Sequence, residues 1–337
     1  MRTLSRREFL ATSAVASATL CMTGKISAAE PGKQTFTILH TNDLHSNLIG
    51  MAPATDYTPF ELNNDTTRGG YARLATLIKQ RQAVGQPLGP VLILDGGDYS
   101  MGTAFAAAIR ETGGELQLLS LMGFDATTFG NHEFDLGPDG TAQAIAVAAK
   151  AGRVPAVVVS NTTFTDDDPK LDGFKRLEKD GVIRRYVVIK RCDLRFGIFG
   201  VLGKEAQFYT GGAAPAKFTD PVETAKEMVK ILRDQEKVDV VIALSHGGMT
   251  KGADGRYQDG EDVQLAKAVP GIDVVIGSHS HTELHEPVIV NGRTPVVQTG
   301  KYGQIMDHLR TLPAKNGELP VIPVDERANE VRAIKAG

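Results

Sequence analysis

Five short clusters in this sequence carry residue types that bind metal ions: Asn42-Asp43-Leu44-His45, Gly96-Gly97-Asp98, Asn131-His132-Glu133, Ser245-His246-Gly247 and Ser278-His279-Ser280-His281. Taken singly, each has a plain explanation. An Asp-x-His is often a capped turn, a Gly-Gly-Asp a tight turn whose carboxylate accepts a backbone hydrogen bond, and a lone His a satisfied core residue. Together they mean something else. Two Asp, one Asn and three or four His delivered to one rim would be costly through desolvation and repulsion. Bound cations resolve that conflict. Seven ligands exceed the four of a closed structural zinc site, so they divide between two ions, with one carboxylate bridging and water filling the open positions. Two metals about 3.5–4 Å apart clamp the attacking and leaving oxygens of an in-line displacement and acidify a bridging water. Phosphate esters suit such a pair, because the cations meet the charge developing on the phosphoryl oxygens.

The elements that must position these clusters can be read from the apolar pattern. β-branched apolar runs alternate with helical patterns, which predicts an α/β fold. Strands are expected at 36–40, 91–94, 156–159, 186–189, 196–199, 238–244 and 272–276, with a late hairpin of 288–290 and 296–297 around Asn291-Gly292. Helices are expected at 71–82, at 138–151 with an early Pro138 and a terminal Gly152, and at 224–235 behind the capping run Asp220-Pro221-Val222-Glu223. Each polar cluster directly follows an apolar run. In open α/β sheets ligands bind at the carboxyl ends of strands, so five such ends predict one shared site. No repeat or composition break divides the chain, and residues 30–337 are expected to form a single domain.

The first 29 residues stand apart. Ser5-Arg6-Arg7-Glu8-Phe9-Leu10 opens onto the apolar, small-residue stretch 11–22, and Ser27-Ala28-Ala29 offers a cleavage site after Ala29. The order of these regions resembles a twin-arginine export signal, read by the translocation machinery rather than kept as an anchor, and implies a periplasmic or otherwise exported product. No later stretch is long and apolar enough to span a bilayer, so no stable membrane anchor is expected. The whole chain of 337 residues has a net charge of −3. Removing four basic residues (Arg2, Arg6, Arg7, Lys25) and one acidic (Glu8) leaves 33 basic and 39 acidic residues, a net of −6. That surface argues against nucleic-acid binding and requires a local positive source to hold an anionic substrate. Only Cys192 would remain, so the exported chain has no intramolecular disulfide.

Written out, Thr41-Asn42-Asp43-Leu44-His45, Asp95-Gly96-Gly97-Asp98, Gly130-Asn131-His132-Glu133-Phe134-Asp135, Ser245-His246-Gly247-Gly248 and Gly277-Ser278-His279-Ser280-His281 form an ordered series. It resembles the motifs of the calcineurin-like metallophosphoesterases, and within them the catalytic domain of 5′-nucleotidase/UDP-sugar hydrolases, over roughly residues 36–310. Arg68-Gly69-Gly70-Tyr71-Ala72-Arg73 and Met122-Gly123-Phe124-Asp125-Ala126 match as well. The resemblance implies a four-layer α/β/β/α sandwich of two mixed sheets flanked by helices. It implies two divalent ions (Mn, Zn, Fe or Mg), the first held by Asp43, His45 and His281, the second by Asn131, His246 and His279, with Asp98 between them. It implies that His132 contacts the phosphoryl group or the departing oxygen, oriented by Asp135, and that Asn131, His132 and Asn161 face the substrate.

Those roles describe a phosphomonoesterase of the 5′-nucleotidase type acting on a small phosphorylated substrate, a nucleotide included, through a metal-bridging hydroxide. Cyclic phosphodiesterase, nucleotide-sugar pyrophosphohydrolase, thiosulfonate hydrolase and a non-catalytic metal-binding module are the other readings. The family's extracellular nucleotidases carry a C-terminal base-stacking domain, for which about thirty residues after the last matched strand leave no room; specificity is therefore expected from loops such as 49–68, 209–212 and 251–262. His40, His285 and His308 are read as surface or strand-packing residues, Glu133 as structural, and Asp166-Asp167-Asp168 as a solvated turn.

Overall fold

The computed structural model describes residues 35–50, 67–165, 167–311 and 321–322. The expected export signal at 1–29 lies outside them, as do Tyr57 and Phe60 of the loop that the sequence offers for specificity. Two mixed sheets form the centre. The first runs in the order β17 (Val321–Ile322), β16 (Asp307–Thr311), β1 (Phe36–Thr41), β2 (Val91–Asp95), β3 (Ala126–Thr127), β4 (Ala156–Val158), β6 (Ile183–Arg184). The second runs β14 (Val288–Val290), β15 (Thr294–Val297), β13 (Val274–Gly277), β10 (Val240–His246), β8 (Leu194–Leu202), β7 (Tyr186–Arg191). Strands β1, β2, β3, β4 and β6 are mutually parallel, as are β8, β10, β13 and β15; antiparallel partners lie at both edges of the second sheet and at the β16–β17 edge of the first, whose other edge is the parallel β6. Two ribbons, β5 (Thr162–Thr163) with β9 (Lys217–Phe218) and β11 (Thr250–Lys251) with β12 (Tyr257–Asp259), lie outside the sheets.

Helices α1 (Tyr71–Gly85), α2 (Ile109–Thr112), α3 (Gly114–Met122), α4 (Gly137–Ala151) and α5 (Asp172–Lys179) precede the second sheet in sequence; α6 (Lys204–Phe208), α7 (Pro221–Lys230) and α8 (Glu261–Ala268) are threaded between its strands. Period-two alternation sorts the side chains into three cores. Phe36, Ile38, Leu92, Leu94, Ile198, Ile242 and Ile276 meet between the two sheets. Their strand neighbours Leu39 and Ile93 point outward onto a layer containing Leu74, Ile78, Leu119 and Ile145. On the opposite outer face Phe199, Val201, Val241, Ala243 and Val275 pack with Met228, Val263 and Ala266. Helix, sheet, sheet and helix thus stack in four layers, as expected. Because both faces of each sheet are covered, the central strands read as unbroken apolar runs.

The predicted strands and helices occur, with boundaries moved by a few residues. Helix α1 runs three residues past its expected end, and the segment after α7 continues to Gln235 as a π-turn. Asp220 caps α7 as anticipated, its Oδ1 accepting from Val222 N at 2.9 Å and Glu223 N at 3.0 Å. The late hairpin turns through Asn291 and Gly292, both with positive φ (51° and 69°), a conformation that Asn and Gly tolerate best. One expectation needs correcting: the third polar cluster does not directly follow its strand, which has only two residues and is separated from Asn131 by 128–130, in no regular element.

Candidate metal centre

The carboxyl ends of β1, β2, β10 and β13 and the loop after β3 deliver their side chains to one rim. Five of the seven expected ligands occupy left-handed backbone there: Asp43 (φ 49°), His45 (48°), Asp98 (51°), His279 (73°) and His281 (53°). Such conformations cost of order 1 kcal/mol or more for residues with a side chain, and they persist only where the surroundings enforce them. Here they aim the ligands. Asp43, His45 and His281 form one group whose ligand atoms all lie within 4.8 Å of one another; Asp98, His246 and His279 form a second; His45, Asp98 and His132 form a third that overlaps both.

Within the first group His45 Nε2 lies 3.0 Å from His281 Nε2 and 3.9 Å from Asp43 Oδ1, which is 3.6 Å from His281 Nε2. Within the second, His246 Nε2 lies 3.2 Å from Asp98 Oδ2 and 3.2 Å from Asn131 Oδ1. Asp98 Oδ2 is also 3.6 Å from His45 Nε2, so this one oxygen faces both groups. Asp98 Oδ1 meanwhile accepts the backbone N–H of His132 at 2.9 Å. Glycine at position 130 is dictated by this crowding, since a Cβ there would overlap Asp98 Oδ1 and His246 Cε1.

The ring tautomers supply the test of whether a cation fits. His45 Nδ1 is 3.0 Å from the Met101 carbonyl and His246 Nδ1 3.1 Å from the Gly96 carbonyl. A carbonyl only accepts, so both Nδ1 atoms carry hydrogen, and a neutral ring then turns a bare Nε2 lone pair toward the cluster. His45 thus presents a lone pair beside another imidazole nitrogen and two carboxylates in a buried site, a convergence of donors that a bound cation would satisfy together. Without an ion, the protonation pattern divides the site. Burial pushes His279 down to about 4 and His281 down to about 3, and lowers His45. Burial likewise pushes Asp43 up to about 7, helped by the charge of Asp98. Burial opposes ionisation of Asp98 and His246 too, but their mutual attraction prevails, holding Asp98 well below the usual carboxylate range and His246 up at about 10. The donor set is mixed oxygen and nitrogen, suited to Mn, Zn, Fe or Mg.

An outer layer of hydrogen bonds fixes these groups. Asp43 Oδ2 accepts from Asn42 Nδ2 at 2.6 Å, Ser278 Oγ at 2.8 Å and His279 N at 3.1 Å. Glu133, read as structural, is almost fully buried and accepts from the backbone N–H groups of Asp98, Ser100 and Gly130 at 3.0, 3.0 and 2.6 Å, which locks two metal-side loops together. Asp262 accepts from Ser245 Oγ at 2.7 Å behind the His246 loop, its carboxyl pushed up to about 8 by burial. Sequence reasoning missed Asn42, Ser278 and Asp262 in this layer, and the carbonyls of Met101 and Gly96; a carbonyl leaves no trace in residue identity.

His132 sits at the mouth, its side chain 42% exposed, with Nδ1 2.7 Å from Asp135 Oδ2. Burial works against its imidazolium, but the Asp135 hydrogen bond and the charge of Asp98 outweigh this and raise its pKa. Asn161 does not join the cluster. Its Nδ2 donates to the carbonyls of Leu202 at 2.9 Å and Thr219 at 3.1 Å, and its Oδ1 accepts from Leu202 N at 2.9 Å, so the amide braces the end of β8 and has no N–H left for a substrate. The geometry favours a structural Asn at this position. Of the other histidines, His40 is buried in β1 and His285 is exposed; the side chain of His308 lies outside the described residues. Asp168 caps a short turn through Lys170 N at 2.9 Å.

Two mixed sheets carrying an Asp/Asn/His cluster across their strand ends define a metal-dependent hydrolase. The sequence matches the calcineurin-like phosphoesterase family over residues 36–283, and the chain belongs to that family. It is 28% identical over 322 residues to the trifunctional nucleotide phosphoesterase protein YfkN of Bacillus subtilis, covering 87% of this chain and 20% of that one. It is 29% identical over 300 residues to the 5′-nucleotidase of Bos taurus, covering 84% of this chain and 47% of that one. Among solved structures, the 5′-nucleotidase precursor from Thermus thermophilus superposes with a TM-score of 0.65 at 26% identity, over 88% of this chain and 56% of that one. The chain thus spans half or less of the length of these two curated relatives.

Proposed function

We propose that the chain is an exported phosphomonoesterase of the 5′-nucleotidase type with two divalent ions. Asp43, His45 and His281 hold the first, Asn131, His246 and His279 the second, and Asp98 is shared. The single observation that carries this reading is the double exposure of Asp98 Oδ2, 3.6 Å from His45 Nε2 and 3.2 Å from His246 Nε2, between two groups that each offer a full set of ligands. When bound, divalent ions supply positive charge to the phosphoryl oxygens and make water acidic enough to attack near neutral pH. The chain's own residues do the rest. The backbone N–H of His132 and the surrounding histidines fix the orientation of the Asp98 carboxylate. Asp135 takes the Nδ1 hydrogen of His132 and favours its charged form, so its Nε2–H is available at the mouth to the phosphoryl group or the departing oxygen. Glu133 keeps the Asp98 and Asn131 loops in register.

The 5′-nucleotidase relatives, and YfkN, whose name records a trifunctional nucleotide phosphoesterase, support a nucleotide as substrate. The Arg6-Arg7 leader supports export, and no helix among the described residues is long and apolar enough to cross a membrane. Phosphate release from AMP, p-nitrophenyl phosphate and bis-p-nitrophenyl phosphate, with and without chelator, tests the activity. Monoester turnover abolished by chelator and restored by Mn or Zn is expected; turnover insensitive to chelator would defeat the reading. Mass spectrometry of the periplasmic protein tests the leader, the expected new N-terminus being Glu30.

A further inference from the structure

Among the described residues the large exposed aromatics are Phe105, Phe208 and Tyr209. None is scattered over the back of the molecule. Phe105 stands on the loop that leaves the carboxyl end of β2, seven residues after Asp98; Phe208 and Tyr209 end helix α6, which leaves the carboxyl end of β8. All three therefore stand on loops leaving strand ends at the rim that carries the metal-binding cluster. Phe208 and Tyr209 also pair: their centroids are 5.4 Å apart at 86°, and Tyr209 leans on the His279 ring at 6.0 Å and 42°. Phe208 keeps 83% of its surface open and Tyr209 55%. Leaving two adjacent aromatic rings in water forgoes apolar burial, and an exposed aromatic pair beside a reactive centre suits a partner with a face to stack on it.

We propose that Tyr209 and Phe208 form a stacking platform for the leaving group, and that this platform selects phosphomonoesters whose alcohol is a nucleoside. The inference rests on the phosphomonoesterase reading and adds the specificity element within the catalytic layer itself. Tyr209 touches a proposed ligand ring on one side and is open on the other, so the platform begins one ring away from the centre. That offset fits a planar base separated from phosphorus by a sugar. Every nucleobase has a π-face, so a platform without polar readout tolerates any base and discriminates against substrates that lack one.

The test is steady-state hydrolysis of AMP and ribose 5-phosphate by the full metal-loaded chain, compared among wild type, Phe208→Ala, Tyr209→Ala and Tyr209→Phe. The preference, kcat/KM for AMP over that for ribose 5-phosphate, is expected to drop roughly fivefold or more in both alanine variants, the low end of what base–aromatic stacking contributes. The change should fall mainly on KM, and Tyr209→Phe should keep the preference. Metal content is measured alongside, because Tyr209 contacts His279 whereas Phe208 lies one ring farther out. A preference unchanged within twofold in both alanine variants overturns the platform while leaving the phosphomonoesterase reading intact. Loss of preference in Tyr209→Phe would overturn stacking in favour of a hydroxyl contact. Absence of turnover of either ester by wild type would overturn the phosphomonoesterase reading, and the platform with it.

Discussion

At His45 the position of one hydrogen decides what the cluster can bind. The Met101 carbonyl takes the Nδ1 hydrogen, and the bare Nε2 then faces Asp43, Asp98 and His281. The same logic separates residues that hold an ion from residues that act beside it. Asp98→Ala removes the proposed shared ligand and should lose both bound metal and activity, by more than the roughly 10–100-fold that loss of a merely orienting partner costs. His132→Ala should lose on the order of 10²–10⁴ in kcat while metal analysis finds its ions retained; ions lost with the imidazole would mean His132 is a ligand. Asp135 sets a direction in pH. Its carboxylate raises the His132 pKa against burial, so the charged ring survives to higher pH. Asp135→Asn removes that support, and the alkaline limb of kcat/KM should move to lower pH; an unmoved limb would show that His132 does not act in its protonated form.

The elements that carry these residues are stabilised far from the chemistry. Helix α7 begins at Asp220, which caps two N–H groups and pairs with Lys204, whose hydrogen bond lowers the Asp220 pKa. Asp220→Ala should destabilise by about 1 kcal/mol at neutral pH, the usual value of such a cap. Because the folded-state pKa lies below the ordinary carboxylate value, this stabilisation is present above about pH 4 and is lost as pH falls through the lower folded value. The gap in stability between wild type and variant, measured by denaturant titration, should narrow in acid; a gap independent of pH would contradict the capping account. This helix was legible in the sequence because Asp-Pro-x-Glu is a chemical instruction. So were the central strands, whose apolar runs are long and covered on both faces. Helix α3 was not, since it opens at Gly113-Gly114 without a side-chain cap. Strands β3, β6 and β17, two residues each, are too short to leave a period. At the site, the structure brings Asp43, His45, Asp98, His246, His279 and His281 together, and sequence could point to them because side-chain identity is the signal for a potential ligand. Asn161 could not be sorted in advance, because an Asn that braces two backbones and an Asn that meets a substrate are the same letter.

For the molecule as a whole, the strained and desolvated centre lowers stability, and bound ions offset that loss. An ion at about a thousand times its dissociation constant stabilises the folded state by about 4 kcal/mol, and each kcal/mol moves the melting temperature of a domain of this size class by about 2–4 °C. Chelation should therefore lower the Tm of the wild type by several degrees and leave Asp98→Ala nearly unmoved; equal shifts in both would mean that the stabilising ions bind elsewhere. The central claim is that two ions share the Asp98 carboxylate. Anomalous diffraction from crystals of the manganese-loaded protein tests it most directly. Two peaks are predicted on either side of Asp98, one within bonding distance of His45 and His281 and the other of His246 and His279. A single peak, or a pair that does not have Asp98 between them, would contradict the account.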